Sequence, residues 1–418
     1  MVGHPTFIFE NVWLKSKERG LYMKYLYLKS NLHTDYALKK KSLEIFNYLE
    51  QNTGYSFIDA PLDEVKNEDI SLVYVATGGT AGLLKESLKS LKEPIILLTS
   101  GSDNSLSASM EMLTYMTNKG KRAKLLHGTK EELATQVKQI ISAIETKNSL
   151  NGLRLGLIGK PSDWLISTEF DYNELKNKLG IEIIEIEMKE LLEEISKKTY
   201  PDSEKCRELM SKDFDKNQIK EALDIYGAFT RLVDKYKLDG FTVRCFDLLT
   251  SVKNTGCLGL ALLNSQGIFA GCEGDLPSLI SMVVLGKISG QPVFMSNPSR
   301  IDNQKNEMIF AHCTLPLNMP EKYTLDTHYE SNIGVAISGD IPAGSATVFK
   351  ANGLLNRYFL SSANIQESLH EKDLCRSQIR LKLNSDIKDF YQTPVGNHYL
   401  ICLGDYAGSI KEFFELIK

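Results

Sequence analysis

The residues best placed to do chemistry form one short turn, Gly271-Cys272-Glu273-Gly274-Asp275. An apolar run at 267–270, which predicts a buried strand, precedes the turn, and an apolar run at 276–285, long enough for a helix, follows it. In an open α/β sheet, ligands bind just beyond the carboxyl ends of the strands. The two carboxylates stand at such an end, beside glycines that let a ligand approach the backbone. The turn is therefore a candidate functional site.

The same carboxylates also have a purely structural interpretation. A carboxylate in the first turn of a helix is stabilised by the helix dipole, typically by about 0.3–1 kcal/mol. Asp275 lies further into the predicted helix than Glu273 and fits this interpretation better. For Glu273 the sequence leaves the structural and the functional interpretations open.

Further polar turns are predicted at 294–298, 311–313 and 396–399, and we expect them to meet around Glu273. Two of them contain a histidine, His312 and His398, and each could be a ligand or an ordinary core or capping residue. Neither belongs to an HExxH motif or a Cys/His zinc pattern. Oxygen ligands combined with one imidazole suit Mn²⁺ or Mg²⁺ better than structural zinc.

Another charged pair, Arg244 and Asp247, follows the predicted strand at 241–244. The two side chains could bind the hydroxyl groups of a substrate, or they could pair with each other. Their position at the carboxyl end of a strand favours a role in the pocket.

The composition excludes several classes of protein. The 418 residues are 42% hydrophobic and 24% charged, which is typical of a globular chain of about two to three domains. A net charge of −4 and a pI of about 6.1 favour neither nucleic acid nor an anionic membrane as a partner. No apolar run reaches the roughly 18 residues of a membrane span, and the N-terminus lacks a secretory pattern. Seven scattered cysteines without a CxxC pair predict reduced thiols in a cytoplasmic protein.

Alternating strand and helix patterns predict two α/β domains, each with a parallel sheet covered by helices on both faces. A polar, turn-rich segment at 147–152 separates them. Beyond about residue 298, short alternating runs separated by Gly, Pro and Asn predict antiparallel strands in a barrel or a sandwich. We therefore expect three domains: residues 1–150, residues 151–295 with Glu273, and residues 296–418 with His398.

Several of these motifs together resemble the L-fucose/L-arabinose isomerase superfamily, and most closely its shorter, fucose isomerase-like members. The first of them are the turn at 271–275, Gly290-Gln291-Pro292-Val293-Phe294-Met295 and Ala311-His312-Cys313. The segment 157–166 resembles the opening of the family's second domain, and Gly396-Asn397-His398-Tyr399 resembles its C-terminal metal-binding histidine turn. The resemblance covers residue 152 to the end, and before it only the α/β layout agrees.

The resemblance implies two flavodoxin-like, doubly wound parallel-sheet domains followed by a C-terminal antiparallel β-barrel domain. It implies an aldose–ketose isomerase that acts on an open-chain sugar through an enediol. In such an enzyme Mn²⁺ or Mg²⁺ polarises the carbonyl, and a carboxylate moves a proton between C1 and C2. It also implies a homotrimer or homohexamer in which the first domain of one subunit closes the site of its neighbour.

Carried over by position, the metal ligands are Glu273, Asn297 and His398, and the catalytic residues are Glu273 and Asn297. We expect substrate contacts from Arg244, Asp247, His312 and Asn397.

Asn297 departs from the family pattern, because the family has an acidic metal ligand at this position. An amide oxygen can bind a divalent ion, but it brings no negative charge and cannot carry a proton. We therefore expect weak metal binding and impaired catalysis, unless Asp302 compensates. Three functions stay open: an isomerase with an altered site, an enzyme for another sugar reaction, and a non-catalytic sugar-binding or regulatory paralogue.

Overall fold

The computed structural model describes residues 21–33, 35–168 and 170–418. These residues form two compact units, one containing Thr146–Ile410 and the other running up to Glu145 and including Lys411–Lys418. The first 20 residues of the domain expected at 1–150 lie outside the described residues. The three domain boundaries stay a prediction.

The smaller unit is built on a parallel sheet whose strand order is β2-β1-β3-β4-β5. Its strands are β1 (Tyr22–Leu28), β2 (Ser56–Asp59), β3 (Ser71–Val75), β4 (Ile95–Thr99) and β5 (Ala123–Leu126). The helices between and after them are α1 (Asp35–Thr53), α2 (Leu62–Val65), α3 (Ala81–Ser87), α4 (Ser105–Asn118) and α5 (Lys130–Leu150). Every residue of β3 and β4 is buried, as a parallel sheet covered on both faces requires. The strand order is that of a flavodoxin-like fold.

The larger unit begins with a second parallel sheet of strand order β7-β6-β8-β9, the same relative order as in the first sheet. Its strands are β6 (Arg154–Ile158), β7 (Glu182–Ile186), β8 (Gly240–Val243) and β9 (Phe269–Gly271). The helices of this part are α6 (Tyr172–Leu179), α7 (Met188–Ser196), α8 (Glu204–Ser211), α9 (Lys216–Tyr236), α10 (Phe246–Ser251), α11 (Cys257–Ser265) and α12 (Leu276–Ser289). The four strands of this sheet are parallel, so the turns at their carboxyl ends all lie at the same edge.

The rest of the larger unit is a closed antiparallel barrel of strand order β10-β11-β16-β15-β14-β17. Its strands are β10 (Phe294–Asp302), β11 (Glu307–His312), β14 (Gly344–Ala351), β15 (Tyr358–Leu369), β16 (Ser377–Leu383) and β17 (Tyr399–Leu403). A separate hairpin pairs β12 (Lys322–Asp326) with β13 (Ala336–Asp340). The last helices are α13 (Ile387–Gln392) and α14 (Ala407–Ile417). The expected fold class, two doubly wound parallel sheets followed by an antiparallel barrel, is confirmed.

Two of the predicted polar turns are strands instead. Residues 294–298 begin β10, and residues 311–312 end β11. Pro298, which cannot donate a ladder hydrogen bond, is tolerated because the register shifts at a bulge between Pro298 and Arg300. The sequence suggested a turn here because Asn and Pro are common turn residues.

Helix α12 connects the second sheet to the barrel. It packs against β9 on one side and against barrel strands β14 and β17 on the other. Nearly all of its residues are buried, which explains why its sequence is apolar on every face. The turn that precedes α12 therefore lies where the sheet and the barrel meet.

Among the described residues, no helix is both long enough and apolar enough to cross a membrane.

The pairing of β8 with β9 depends on the absence of a side chain at Gly240. A Cβ atom there would lie 2.6 Å from the Phe269 backbone oxygen and 2.8 Å from the Phe269 Cβ. We expect Gly240→Ala to lower the free energy of unfolding by about 1–3 kcal/mol, because the strands must separate to accept the methyl group. Urea unfolding followed by circular dichroism measures this.

Gly82→Ala is the matched control, because a Cβ at Gly82 meets nothing within 4 Å. It lies in a helix, where alanine is preferred to glycine, so no loss of stability is expected. Equal losses in the two variants would show that Gly240 is not a tight contact.

Candidate active site

The turn between β9 and α12 holds Glu273 in an unusual backbone conformation. Glu273 has φ 62° and Gly274 has φ 70°, so both lie in the left-handed region. A non-glycine residue is strained there, and such strain persists where the surrounding structure fixes it. The Gly274 N–H donates to Val243 O at 2.9 Å, and the Ser162 N–H donates to Glu273 O at 2.9 Å. The end of β8 and the turn that follows β6 thus hold Glu273 in place.

The Glu273 carboxylate is held by two partners from distant parts of the chain. The Trp164 indole Nε1–H donates to its Oε2 at 2.7 Å, and His398 Nε2 lies 3.3 Å from its Oε1. Burial alone would raise the pKa of Glu273, but the hydrogen bond and positive charge of His398 lower it on balance. Glu273 is therefore ionised at neutral pH, although its side chain is only 10% exposed.

Asp275 positions His398 from the other side of the ring. It caps α12 by accepting hydrogen bonds from the Ser278 N–H at 2.9 Å and the Ser278 hydroxyl at 2.6 Å. Its Oδ2 also lies 2.8 Å from His398 Nδ1, and its Oδ1 lies 3.4 Å from Lys350 Nζ. Asp275 is the N-cap of α12, one position before the first helical turn in which the sequence predicted it, and its carboxylate also orients the candidate metal-binding histidine.

The two carboxylates reverse the effect of burial on His398. Burial would lower the pKa of this ring, but the hydrogen bonds and charges of Asp275 and Glu273 raise it to about 9. Burial likewise would raise the pKa of Asp275, whereas Lys350 and His398 hold it well below its usual range. Burial lowers the pKa of Lys350, and the charge of the neighbouring Asp275 opposes this effect. With Lys350 protonated, the two buried carboxylates are balanced by its ammonium and by the His398 imidazolium.

His312 completes a cluster around Glu273. Glu273, His312 and His398 each offer a ligand atom, and these atoms all lie within 4.8 Å of one another. His312 Nδ1 lies 2.8 Å from the Thr314 hydroxyl, which leaves Nε2 for a ligand. Burial, aided by the positive charge of His398, lowers the pKa of His312 to about 3, so its ring is neutral. A neutral imidazole is the form that binds metal ions.

The cluster fits a divalent metal ion. Ligand distances of roughly 2.0–2.3 Å would place three donors around one ion at separations like those found here. Each histidine also has its Nδ1 held by an oxygen, of Thr314 or of Asp275, an arrangement typical of metal-binding histidines. This buried group of one carboxylate and two imidazoles could therefore hold a metal ion, and it includes His312, which was expected to contact the substrate.

A cavity of about 500 Å³ opens beside this cluster. Four of the expected site residues line it: Glu273, Asn297, His312 and Asn397. Asn297 lies on β10 and pairs with Ala311 of β11, while the preceding Ser296 pairs with Tyr399 of β17. Strand β10 thus sets Asn297 between the two histidines at one end of the barrel. A role for Asn297 as metal ligand stays a prediction.

Arg244 and Asp247 lie apart from this cavity and pair with each other. Arg244 Nε lies 3.1 Å from Asp247 Oδ1, and its Nη2 lies 2.7 Å from Asp163 Oδ2. Arg244 also donates to Pro161 O at 2.7 Å. The arginine therefore fixes the turn that precedes Trp164. Substrate binding by the pair stays a prediction.

Two features of the cavity have little signal in the sequence. Trp164 donates directly to Glu273, although no sequence motif connects the two residues. Five of the seven cysteines line the cavity: Cys245, Cys257, Cys272, Cys313 and Cys375. They lie on separate elements, so no spacing pattern in the sequence predicts that they line one cavity. They give one wall a small, weakly polar character.

Comparison with known proteins finds relatives along nearly the whole chain. The chain is 23% identical over 421 residues to the sulfoquinovose isomerase of Priestia megaterium (strain ATCC 12872 / QMB1551), covering 94% of this chain and 92% of the relative. It is 23% identical over 447 residues to the sulfoquinovose isomerase of Clostridium sp. (strain MSTE9), covering 100% of this chain and 96% of the relative. The sulfoquinovose isomerase of Alkalicoccus urumqiensis is 19% identical to it over 402 residues, covering 88% of this chain and 89% of the relative. No family model matches the chain.

The charge network makes the site dependent on Asp275. We expect Asp275→Asn to lower the free energy of unfolding at pH 7 by about 3–5 kcal/mol, because Lys350 and His398 stay buried without their partner. The raised pKa of His398 means that its contribution to stability is present below its ordinary pKa of 6.5 and is lost as the pH rises through about 9. The loss caused by Asp275→Asn should therefore shrink above pH 9. Denaturant unfolding of the metal-free protein at pH 7 and pH 10 measures both effects.

Asp247→Asn serves as the control, because the side chain of Asp247 is 41% exposed in its pair with Arg244. An exposed pair contributes at most about 1 kcal/mol. A loss in Asp275→Asn that is as small as in the control, or that does not change with pH, would contradict the buried network.

Proposed function

We propose that this protein is an aldose–ketose isomerase that acts on the open-chain form of a sugar bound in the 500 Å³ cavity. The observation that carries the proposal is the ionised, buried Glu273 at the cavity wall, clustered with two histidines that could hold a metal ion with it. The similarity to sulfoquinovose isomerases over nearly the full length of both chains supports a sugar isomerase function.

In this proposal Glu273 moves the proton between C1 and C2 of the sugar. It takes the proton from C2 as a general base and returns it to C1 as a general acid, by way of an enediol, while the proton of the C2 hydroxyl passes to the C1 oxygen. Its lowered pKa keeps it ready to accept a proton, and the Trp164 hydrogen bond fixes the orientation of the carboxylate. Asp275 holds the His398 ring and so keeps its Nε2 directed at Glu273.

A divalent ion held by Glu273, His312 and His398 would polarise the sugar carbonyl. To act as a ligand, His398 must release the proton on Nε2, because only the neutral nitrogen binds a metal. Before the ion binds, the two carboxylates balance the charges of protonated His398 and Lys350. When His398 loses one proton and a dication binds, the site is left with one uncompensated positive charge. An aspartate at position 297 would offset this charge, whereas Asn297 does not. This is the physical basis for the expectation of weak metal binding.

A second candidate function, a non-catalytic sugar-binding or regulatory paralogue, is favoured by the same asparagine. Asn297 lines the cavity and retains hydrogen-bonding capacity for a sugar hydroxyl while it can carry no proton. Such a protein would bind a sugar without exchanging its C1 or C2 proton. The homotrimer or homohexamer, the identity of the metal and the cytoplasmic location come from the sequence alone and stay predictions.

The test of catalysis is Glu273→Gln. We expect isomerase activity to fall by roughly 10²–10⁴-fold, because the amide cannot accept a proton. The measurements are ketose formation and uptake of deuterium from D₂O at the reacting carbon, with sulfoquinovose, glucose and a set of pentoses as substrates. Glu330→Gln removes a carboxylate from the same cavity and should leave the deuterium exchange within about twofold of the parent. A parent protein that binds a sugar but exchanges no deuterium would support the paralogue instead.

The test of the metal site is Asn297→Asp. The added negative charge should tighten Mn²⁺ binding and, if the ion assists catalysis, raise the rate of isomerisation. Calorimetric Mn²⁺ titration of both proteins measures the affinity directly. Asn397→Asp adds the same charge to another residue of the cavity wall and controls for a general electrostatic effect. Equal Mn²⁺ affinity in the parent and Asn297→Asp would show that position 297 does not face the ion.

A further inference from the structure

A second cavity, of about 640 Å³, adjoins the candidate active site. Trp164 and Asn397 line both cavities and form their common wall. Trp164 is the residue that donates to Glu273, and Asn397 directly precedes His398. A ligand that extends past this wall would therefore reach the second cavity from the reacting groups.

Arg357 lines the second cavity and differs from the other arginines. Of the nine arginines among the described residues, eight have a carboxylate oxygen within 4 Å of a side-chain nitrogen, and Arg357 has none. Among the described residues, its guanidinium donates one hydrogen bond, from Nη2 to Pro394 O at 3.2 Å. An arginine has five N–H donors, so most of them are available to a ligand.

The two cavities differ in the charged groups that line them. Among their described lining residues, the first contains three carboxylates, of Glu273, Glu330 and Asp373, and no lysine or arginine. The second contains Arg357 and no carboxylate. His398 compensates Glu273 and Arg300 compensates Asp373. The described lining of the first cavity therefore offers an anionic group no unpaired cation, whereas the second cavity offers Arg357.

We propose that the second cavity is the subsite for an anionic group, a sulfonate or a phosphate, at the far end of a sugar whose C1 and C2 lie at Glu273, and that Arg357 binds this group. The inference rests on the proposed isomerase function and narrows its substrate to an anionic sugar. The planar guanidinium presents paired N–H donors that match two oxygens of such a group. The position of Arg357 in the cavity beyond Trp164 then fixes which end of the sugar meets Glu273.

The test compares Arg357→Gln with Arg380→Gln as a matched control. Arg380 is an arginine of the same barrel whose Nε lies 3.5 Å from Glu367 Oε1. The substrates are sulfoquinovose, glucose 6-phosphate and glucose, which separate a sulfonate, a phosphate and a neutral end. We expect Arg357→Gln to raise KM for the preferred anionic sugar by roughly tenfold to a hundredfold, the range for hydrogen bonds to a charged group. The kcat for that sugar, and kcat/KM for glucose, should change by less than about threefold.

Arg357→Lys keeps the charge without the planar pair of donors and should recover part of the lost affinity. Calorimetric binding of the same three sugars separates this inference from the proposed function, because it needs no turnover. Weaker binding of an anionic sugar to Arg357→Gln, without isomerisation in any variant, would support the subsite and reject the isomerase. Isomerisation of an anionic sugar that Arg357→Gln leaves unchanged, or a preference for glucose over both anionic sugars, would overturn the subsite and leave the isomerase standing.

Discussion

The site depends on the buried carboxylate of Asp275. This one residue caps α12, orients His398 at the start of β17, and pairs with Lys350 of β14. The side chains of all three are at most 2% exposed. Burying a charge costs several kcal/mol unless a partner compensates it, so none of the three is tolerable without the others. The network therefore requires α12 and the two barrel strands to meet at the cap of the helix.

The position of Glu273 follows from this constraint. Because Asp275 is fixed as the cap, the two preceding residues must complete a tight turn from β9, and both adopt positive φ. The carboxylate of Glu273 then points at the ring that Asp275 orients, with Trp164 on its other oxygen. The strained turn and the ionised carboxylate thus have a common cause in the junction of sheet and barrel. Strain of this kind is characteristic of functional sites.

The electrostatics of the junction also bear on what the site can bind. The network compensates its own charges, so a dication bound there would find little negative charge to balance it. On the far side of Trp164 the situation is reversed, because Arg357 has a charge that no described carboxylate offsets. The arrangement separates a region suited to a metal ion and a carbonyl from a region suited to an anion. A bound sugar with a carbonyl at one end and an anionic group at the other would be oriented by the different charges of these two regions.

The sequence by itself determined the two parallel sheets, the antiparallel character of the last part, and the turn at 271–275. These features depend on the period of apolar residues and on local turn chemistry, which a single sequence displays directly. It also identified Glu273 and His398 as candidates, through residue type, local position and resemblance. It misjudged residues 294–298, because Asn and Pro favour turns and the bulge that accommodates Pro298 depends on the partner strand.

Only the tertiary structure decided which side chains meet. His398 lies 125 residues beyond Glu273, and His312 joins them because β10 pairs with β11 on one side and with β17 on the other. Only the fold shows that Arg244 is occupied by Asp163 and Asp247 while Arg357 has no carboxylate beside it. Contacts between distant residues depend on how the sheet, α12 and the barrel pack, and that packing is a property of the whole chain. A local pattern can propose a residue for a site, but the surrounding fold fixes its partners, its charge and the cavity that it faces.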